Sequence, residues 1–358
     1  MAGGQPTASE RATLDPFEAL AGDVPPRDQR DLMERPFFSL AKAKRVTPIL
    51  YQAGATQVQV YAVPEHGMAT IWDADVLIWA ASQILAAQDR GLQTSRFFRF
   101  TPYQLLIAIG RATGNREYQL LKGALTRLQS TVIRTTIRHG EHWRRQQFSW
   151  IKEWEELTTC SGRCEGMEFV LPEWFYQGVL DRPLGLAIDP AYFALSGGGI
   201  ERWLYRVARK HAGRQQDGWR FELRHLHAKS ASLARFSDFA LDIRGIVTRQ
   251  PLPGYRLALE RHDGRELILM RPDRSTAPVD KLCNSSAAIG TSGATGVGIS
   301  RASISGLRAH KLPLTHSPHA ESGAPKDSKS DSKFFVVGET SRAGKLRRGS
   351  ARRRERTP

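Results

Sequence analysis

Hydrophobic positions recur with the period of a helix in the segment 73–88. Val76, Leu77 and Ala80 begin an apolar side that continues at the i+3 and i+4 positions. A run rich in phenylalanine follows at 97–100, and its composition and length are typical of a short strand. The pattern therefore predicts a helix followed directly by a strand.

The next stretch carries the start signals of a second helix. Thr101 is a suitable N-cap, Pro102 occupies the first helical position and Gln104 completes a capping box. A Gly-Asn pair breaks this helix, and a third amphipathic helix is predicted at 116–129. Alternating positions then predict the two strands of a hairpin, at residues 131–138 and 146–152.

The second half of the chain repeats this order. A helix is predicted at 200–211, with Trp203, Leu204 and Val207 on its inward side. The segments after it are a strand-like run, a short helix, a longer helix and two strands, at residues 219–221, 222–228, 235–249, 255–260 and 266–270. His262-Asp263-Gly264 separates the last two strands and is a strong signal for a tight hairpin turn.

Helix, short strand, helix, turn, helix and hairpin is the order of the winged helix-turn-helix fold, and it occurs twice. We therefore predict an α+β chain with two tandem winged-helix domains. The predicted divisions are a disordered N-terminal lead at 1–33, a first domain at 34–171, a second domain at 172–272 and a disordered basic tail at 273–358. The segments 165–171 and 174–179 are expected to join the two modules.

The charge of the chain indicates a polyanionic partner. The formal charge is +16, from 52 Lys and Arg against 36 Asp and Glu. The tail at 273–358 contains 16 basic and 7 acidic residues, and the preceding 272 residues contain 36 and 29. Because both parts are basic, the charge of the folded region needs its own explanation, for which nucleic acid is the natural candidate.

The helix predicted at 235–249 has the two faces that a DNA recognition helix needs. Phe236, Phe239 and Ile243 belong to an apolar face that would anchor it. The polar face offers Arg235, Asp238, Asp242, Arg244, Thr248 and Arg249. Arginine can pair with guanine and aspartate can accept from cytosine.

Two serines lie just before this helix. Ser230 and Ser232 are candidates for phosphate contacts at its N-terminus. The alternative is an ordinary amphipathic helix with a solvated charged face. The polar lead-in and the basic hairpin that follows favour contact with DNA.

Further basic residues are expected to contact phosphates. Arg261 and Arg265 flank the predicted hairpin tip, where a wing meets the minor groove or the adjacent backbone. In the first module, the outward positions of the third helix and its hairpin are basic. They are Arg116, Lys122, Arg127, Arg134 and Arg138, together with Arg144 and Arg145. This surface could instead face a second subunit, because exposed hairpins also build dimers.

The motifs of common enzymes are missing from the sequence. No G-x-x-x-x-G-K-[ST] pattern occurs, which argues against a P-loop ATPase. His225-Leu226-His227 is similar to the metal-holding pair of rolling-circle nickases, but no Tyr-x-x-Lys accompanies it. Cys160 and Cys164 have a spacing that fits no common zinc site, so we expect a loop between strands there. The prediction is a non-enzymatic protein without metal or cofactor.

The sequence also argues against a membrane protein. No apolar run reaches 18 residues, and the first ten residues lack the basic and apolar regions of a signal peptide. The sparse cysteines are typical of a reducing compartment. We expect a cytoplasmic protein with no membrane partner.

Several segments resemble a known family. Residues 118–131, beginning Tyr118-Gln-Leu-Leu-Lys-Gly-Ala-Leu, and residues 227–232, 236–246 and 252–256 are similar to the plasmid replication initiator protein A family. The opening at 34–42 fits as well, and the TrfA initiators are similar more distantly. The resemblance covers about residues 34–272. In the family a Ser-Gly-Ser often precedes the recognition helix, whereas this chain has Ser230-Ala231-Ser232.

The resemblance implies a replication initiator that binds direct repeats, called iterons, in double-stranded DNA at a plasmid origin. It implies that the second module reads the repeat, while the first adds backbone contacts and dimerisation. It further implies a homodimer in equilibrium with a monomer, and recruitment of the host initiator and the replicative helicase. A transcriptional repressor of a plasmid operon is the alternative, because it would use the same DNA-reading surface.

Overall fold

The computed structural model describes residues 13–138, 146–161, 164–181, 184–213, 215–273 and 275, and it is a mixture of helices and mainly antiparallel strands. Its helices are α1 (Arg30–Met33), α2 (Ala74–Asp89), α3 (Pro102–Ala108), α4 (Asn115–Ser130), α5 (Glu173–Leu180), α6 (Gly199–His211), α7 (Leu223–Ser230) and α8 (Phe236–Arg249). A short 3-10 helix spans Pro190–Ala194. The predicted α+β class is confirmed.

The strands of the described residues form three larger sheets and one short pair. They are β1 (Phe17–Glu18), β2 (Arg27–Gln29), β3 (Ile49–Ala53), β4 (Thr56–Tyr61), β5 (Phe97–Phe100), β6 (Val132–Thr135), β7 (Gln146–Ser149), β8 (Glu153–Thr158), β9 (Cys164–Val170), β10 (Gly185–Ala187), β11 (Trp219–Glu222), β12 (Tyr255–His262) and β13 (Arg265–Pro272). The strand orders are β1-β5-β9-β8, β3-β4-β6-β7, β11-β13-β12 and β10-β2. We call the part up to α5 the first half and the part from α6 the second half.

The helices predicted at 73–88, 116–129, 200–211, 222–228 and 235–249 are confirmed to within two residues at each end, whereas α3 ends at Ala108, well before the Gly-Asn pair that was predicted to break it. The capping box of α3 is present, since the Thr101 hydroxyl accepts from the backbone of Gln104 and the Gln104 side chain accepts from the backbone of Thr101. Cys160 is exposed in the loop expected between two strands, β8 and β9, whereas Cys164 is the first residue of β9. The local signals were reliable because each depends on residues within one helical turn.

The pairing of the first-half hairpin differs from the prediction. Strands β6 and β7 do pair, with Ile133 opposite Phe148, but their sheet is completed by β3 and β4. The hairpin that pairs with β5 is β8–β9, and the order β5-β9-β8 matches β11-β13-β12 in the second half. The segment 165–171, expected to be a connection, therefore forms a central strand. Alternating polar and apolar residues predict a strand but do not identify the strand it pairs with, because pairing depends on residues far away in the sequence.

The prediction of a disordered lead at 1–33 is wrong for its last part. Phe17 lies in β1 and packs edge to face on Phe98, with 5.0 Å between ring centroids. Asp28 and Met33 are buried, and β2 pairs with β10. Residues 1–12 lie outside the described residues, as does nearly all of the tail predicted as disordered at 273–358.

The buried apolar side chains of the described residues form two clusters. The first surrounds α2 and includes Trp174, Phe175 and Val179 of α5. The second surrounds α6 and α8 and also takes in Met33 and Ile78 from the first half. The boundary predicted between 171 and 172 therefore assigns α5 to the second module, although its apolar side packs in the first cluster.

Buried ion pairs join helix α6 to the first half. Arg202 donates to Asp75 at 2.5 Å, and Arg206 donates to Asp28 at 2.7 Å. All four side chains are at most 5% exposed. Burial raises the pKa of Asp75, and the guanidinium groups of Arg202 and Arg111 oppose this shift. The helix that begins the second half is thus tied to the first half through its charged side.

Candidate nucleic-acid interface

Helix α8 has a buried underside and an exposed outward side. Phe239, Ala240, Ile243 and Ile246 are buried in the second hydrophobic cluster, which confirms the predicted anchoring face. The helix packs on α7, α6 and β12. This support fixes α8 to the protein and leaves the opposite side accessible to a partner.

The predicted polar face of α8 divides into two parts. At the start of the helix, Arg235 and Asp238 are exposed and form a surface ion pair at 3.0 Å, and Asp242 is exposed one turn further on. Exposed pairs of this kind contribute little stability and can open at low cost. The beginning of α8 therefore presents charged side chains that remain available to another molecule.

The later residues of the predicted face are exposed but form contacts with other parts of the same chain. Arg244 forms an ion pair with Glu266 of β13 at 2.6 Å, and Arg249 with the buried Glu201 of α6 at 3.2 Å. The hydroxyl of Thr248 donates to the backbone carbonyl of Arg244. These contacts hold α8 against its neighbours, so the second part of the face is less available than the sequence predicted.

The turn between α7 and α8 corrects the prediction for Ser230. Its side chain is buried, and its hydroxyl donates to the carbonyl of His227 at 2.8 Å and accepts from the backbone of Ser232. The hydroxyl is therefore occupied within the turn and does not face a phosphate. Ser232 is partly exposed, and its hydroxyl accepts from the backbone of Ala234 at 3.2 Å. Ala231 between them has a φ of 48°, a left-handed conformation that glycine adopts more easily.

The first half fixes this turn through a buried arginine. Arg45 Nη1 donates to the carbonyl oxygen of Ala231 at 2.8 Å, and its Nε donates to the carbonyl of Thr47 at 2.9 Å. The residue is 7% exposed, and burial lowers the pKa of Arg45. Sequence reasoning missed this residue, because nothing in residues 43–48 shows a periodic or motif signal.

A second anchor of the turn is Glu34. Its carboxylate accepts from His211 Nε2 at 2.6 Å and from Lys229 Nζ of α7 at 2.7 Å, and it also pairs with Lys210. Burial alone would raise the pKa of Glu34, but the hydrogen bond from His211 and the two lysine charges outweigh it and hold the pKa well below the ordinary range. Burial lowers the pKa of His211. Residue 34 therefore links α6 and α7 from outside the second half.

The contribution of Glu34 to stability should depend on pH. Because its pKa is lowered on folding, the contribution is fully present above the unfolded value of about 4.3 and is lost as the pH falls below it. Glu34→Gln should lower the free energy of unfolding at pH 7 by about 2–3 kcal/mol. Below pH 4.3 the difference from the natural chain should shrink by up to about 1.4 kcal/mol per pH unit.

Urea unfolding at pH 7, 5 and 3 tests this expectation. Glu65→Gln is the matched control, since Glu65 is exposed, and it should leave the midpoint unchanged at each pH. A Glu34→Gln difference that stays constant from pH 7 to pH 3 would contradict the role assigned to the carboxylate.

The hairpin β12–β13 presents basic residues at its tip. His262 pairs with Arg265, and the two residues between them have positive φ values of 50° for Asp263 and 73° for Gly264. The hairpin predicted around His262–Gly264 is confirmed, and its turn is formed by two residues, which suits the twist of the strands. Arg261 and Arg265 are exposed. Arg265 forms a long ion pair with Glu222, with 3.6 Å between Nη1 and Oε2.

The basic residues predicted for the first half divide into exposed side chains and side chains paired within the protein. Arg116 and Arg134 are exposed, and Arg134 Nε donates to Gln147 at 2.6 Å. Lys122 forms an ion pair with Glu156 at 2.6 Å. The residues Arg144 and Arg145 lie outside the described residues. Among the described residues, this half therefore offers fewer free cations than its sequence indicated.

Two of the predicted phosphate contacts need correction. Arg127 donates two hydrogen bonds to the buried Asp73, at 2.7 and 2.8 Å, and this hydrogen bonding raises the pKa of Arg127. Arg138 donates two to Asp31, at 2.6 and 2.7 Å, and its guanidinium lies 4.1 Å from the ring centroid of Trp174. Both guanidinium groups are occupied by internal carboxylates, which makes their role structural.

The histidine triplet of α7 is packed within the protein. His225 stacks on Phe221, and His227 Nε2 lies 2.8 Å from the carbonyl oxygen of Ala234. Among the described residues, no three His, Cys, Asp or Glu side chains are grouped as metal ligands would be. Within the same residues, every helix is too short or too polar to cross a membrane.

Two sequence comparisons relate this chain to known replication proteins. A sequence profile described as replication initiator protein A matches residues 27–257. A relative described as a putative replication protein, from Wigglesworthia glossinidia brevipalpis, is 30% identical over 229 residues, which cover 63% of this chain and 82% of the relative.

A solved structure is similar in fold. A crystal structure of domains 2 and 3 of RctB matches with a TM-score of 0.50 and 12% identity, covering 67% of this chain and 96% of that one. A second structure of the same RctB domains has a TM-score of 0.47 and 11% identity, covering 69% and 98%. At such low identity the likeness concerns the fold alone.

Proposed function

Since this chain belongs to the replication initiator protein A family, we propose that it starts the replication of a plasmid by binding repeated sites, or iterons, in double-stranded DNA at the origin. The proposal includes recruitment of the host initiator and the replicative helicase. It assigns no catalysis and no cofactor to the chain. The proposed location is the bacterial cytoplasm, with the plasmid.

The proposed reader of the repeat is a winged-helix module in the second half. It consists of α6, β11, α7, α8 and the hairpin β12–β13. The observation that carries the proposal is the position of α8. Its apolar side is buried, its N-terminal outward side is exposed, and Glu266 ties it to a hairpin whose tip exposes Arg261 and Arg265. An exposed helix side beside a basic wing suits the major groove and the adjacent phosphates.

The first half has a supporting role in this proposal. Strands β5, β9 and β8 with α2, α3 and α4 would form a second winged-helix module. Because Arg127 and Arg138 are occupied internally, we assign backbone contacts to the exposed Arg116 and Arg134 only. The same half is proposed to form a homodimer that exchanges with the monomer.

Binding of the purified full chain to the DNA that flanks its own gene tests the proposal. We expect protection of direct repeats of about 20 bp, roughly two helical turns. The dissociation constant for a repeat should be at least 1000-fold lower than for random DNA at physiological salt, as for specific DNA-binding proteins in general. Equal affinity for both DNAs would contradict the proposal. If the repeats are bound but the plasmid persists after deletion of the gene, the repressor function is favoured instead.

Removing the charges of the wing should weaken binding without regard to sequence. Arg261→Ala combined with Arg265→Ala should reduce the affinity for specific and random DNA alike, because phosphate contacts release counterions from any duplex. The slope of log affinity against log salt should fall in magnitude by about 1–2. The measurement is fluorescence anisotropy at about 50–200 mM salt, over which log affinity should fall linearly with log salt.

Arg90→Ala is the control for this experiment. Arg90 is an exposed arginine directly after α2 in the first half. Its substitution removes one positive charge at a position far from the wing in the sequence. The control should keep the natural salt slope. A wing variant that also keeps the natural slope would count against contact between the hairpin and phosphates.

A further inference from the structure

The centre of the outward side of α8 is occupied by a leucine. The buried Phe239, Ala240, Ile243 and Ile246 define the direction of the core, and at about 100° per residue Leu241 points about 180° away from it. Leu241 is 67% exposed, a larger fraction than for the other exposed large apolar side chains of the described residues. The charged residues chosen from the sequence lie on either side of this position.

A glycine follows one turn later on the same side. Gly245 lies in the middle of α8, where glycine costs about 1 kcal/mol relative to alanine. Packing does not require this glycine, because an added Cβ would meet only the flexible end of Arg249, at 3.2 Å from Nη1. What the missing Cβ does provide is space beside Leu241 for the close approach of another molecule.

Several charged side chains around Leu241 form ion pairs at the surface. Arg235 bonds to Asp238 on one side, and Arg244 bonds to Glu266 on the other. The long side chain at the centre of this face, Leu241, is apolar. The chain around it is basic, and the nearby tip of the β12–β13 hairpin is basic as well. In the major groove the apolar group that such a side chain meets is the 5-methyl group of thymine.

We propose that Leu241 contacts a thymine methyl group in the repeat, and that Gly245 lets α8 approach the bases closely enough for this contact. This inference rests on the proposed function, because it needs α8 in the major groove. It names a specificity determinant that differs from the hydrogen-bonding residues predicted from the sequence. The expected contribution is about three- to tenfold in affinity, the scale of one or two buried methyl groups.

Deoxyuridine substitution tests the contact directly, because deoxyuridine lacks only the methyl group of thymidine. Each thymine of the bound repeat is replaced in turn, and the affinity of the full natural chain is measured. We expect a three- to tenfold loss at one position or at two adjacent positions. Leu241→Ala should show a similar loss on unmodified DNA and no further loss at that position.

Two further variants separate this contact from a change in folding. Gly245→Ala should raise the urea midpoint, as expected for a helix interior, and still weaken binding to the repeat. Leu92→Ala removes a 49% exposed leucine of the first half and should leave every affinity unchanged. A variant that acted only through stability would not produce opposite changes in the midpoint and the affinity.

The outcomes distinguish this inference from the proposed function. If the natural chain binds the repeat but no deoxyuridine position weakens binding, the contact is excluded while the initiator function stands. The same holds if Leu241→Ala keeps the sensitivity of the natural chain at the same position. If the natural chain does not prefer the repeat to random DNA, the proposed function fails and the contact fails with it.

Discussion

Asp75→Ala should lower the free energy of unfolding by about 3–5 kcal/mol, the range for removing one partner of a buried ion pair. Asp75 lies in α2, and its carboxylate accepts from Arg202 of α6 at 2.5 Å and from Arg111 at 3.0 Å. Without the carboxylate, the guanidinium of Arg202 would stay buried and uncompensated. Urea unfolding followed by circular dichroism at pH 7 measures the change.

A double variant tests the cause of this loss. Asp75→Ala with Arg202→Met removes both charges and should recover much of the stability, because an apolar replacement of a buried pair is often neutral. Asp242→Ala is the matched control at an exposed aspartate of α8, and it should change the free energy by less than about 0.5 kcal/mol. If the single and double variants are equally unstable, the unpaired charge is not the cause, and the loss of other contacts is, such as the hydrogen bonds from Arg202 to the carbonyls of Tyr192, Phe193 and Leu195.

Arg138→Ala should also be strongly destabilising, by about 3 kcal/mol. The arginine donates two hydrogen bonds to Asp31 and one to the carbonyl of Trp174, and it lies over the Trp174 ring. Hydrogen bonds to charged groups and a desolvated cation–π contact together have this magnitude. A Cβ on Gly178 would lie 1.6 Å from Arg138 Nη1, so the guanidinium rests directly on the backbone of α5.

This expectation replaces the one drawn from the sequence, in which Arg138 bound phosphate. The salt slope of DNA binding should remain that of the natural chain when Arg138→Ala is assayed under conditions where it is folded. Arg134→Ala, at an exposed arginine of β6, is the control and should cost little stability. Full stability of Arg138→Ala together with weaker binding to every DNA sequence would restore the original interpretation.

The candidate interface was predictable only in part. The underside of α8 and the turn of the β12–β13 hairpin follow from residue spacing, and both are present. The sequence prediction could not distinguish arginines that are exposed from arginines that form ion pairs within the protein. Arg235 and Arg261 are exposed, whereas Arg127 is held by Asp73, which is 54 residues away in the sequence. A charged residue on an amphipathic helix looks the same in both cases until its partner is known.

The leucine at the centre of α8 illustrates a related difficulty. The sequence places Leu241 within the apolar motif Phe-Ala-Leu, and the charged residues around it drew attention as base readers. Its exposure became evident from the packing of Phe239, Ala240 and Ile243 against the second cluster. Arg45 is a clearer case, since its acceptor on Ala231 is 186 residues away and no local pattern marks it.

The sequence by itself identified the family, through several separate segments. It also determined most of the helices, the capping box of α3 and the hairpin tip at Asp263 and Gly264. These features depend on residues within one or two turns of the chain, so local spacing is sufficient to specify them. Only the tertiary structure decided that β5 pairs with β9, that residues 28–34 join the folded part, and which arginines remain exposed. Strand and ion-pair partners can lie far apart in the sequence, by 178 residues for Asp28 and Arg206, and the burial that makes such a pair matter exists only once the chain has folded.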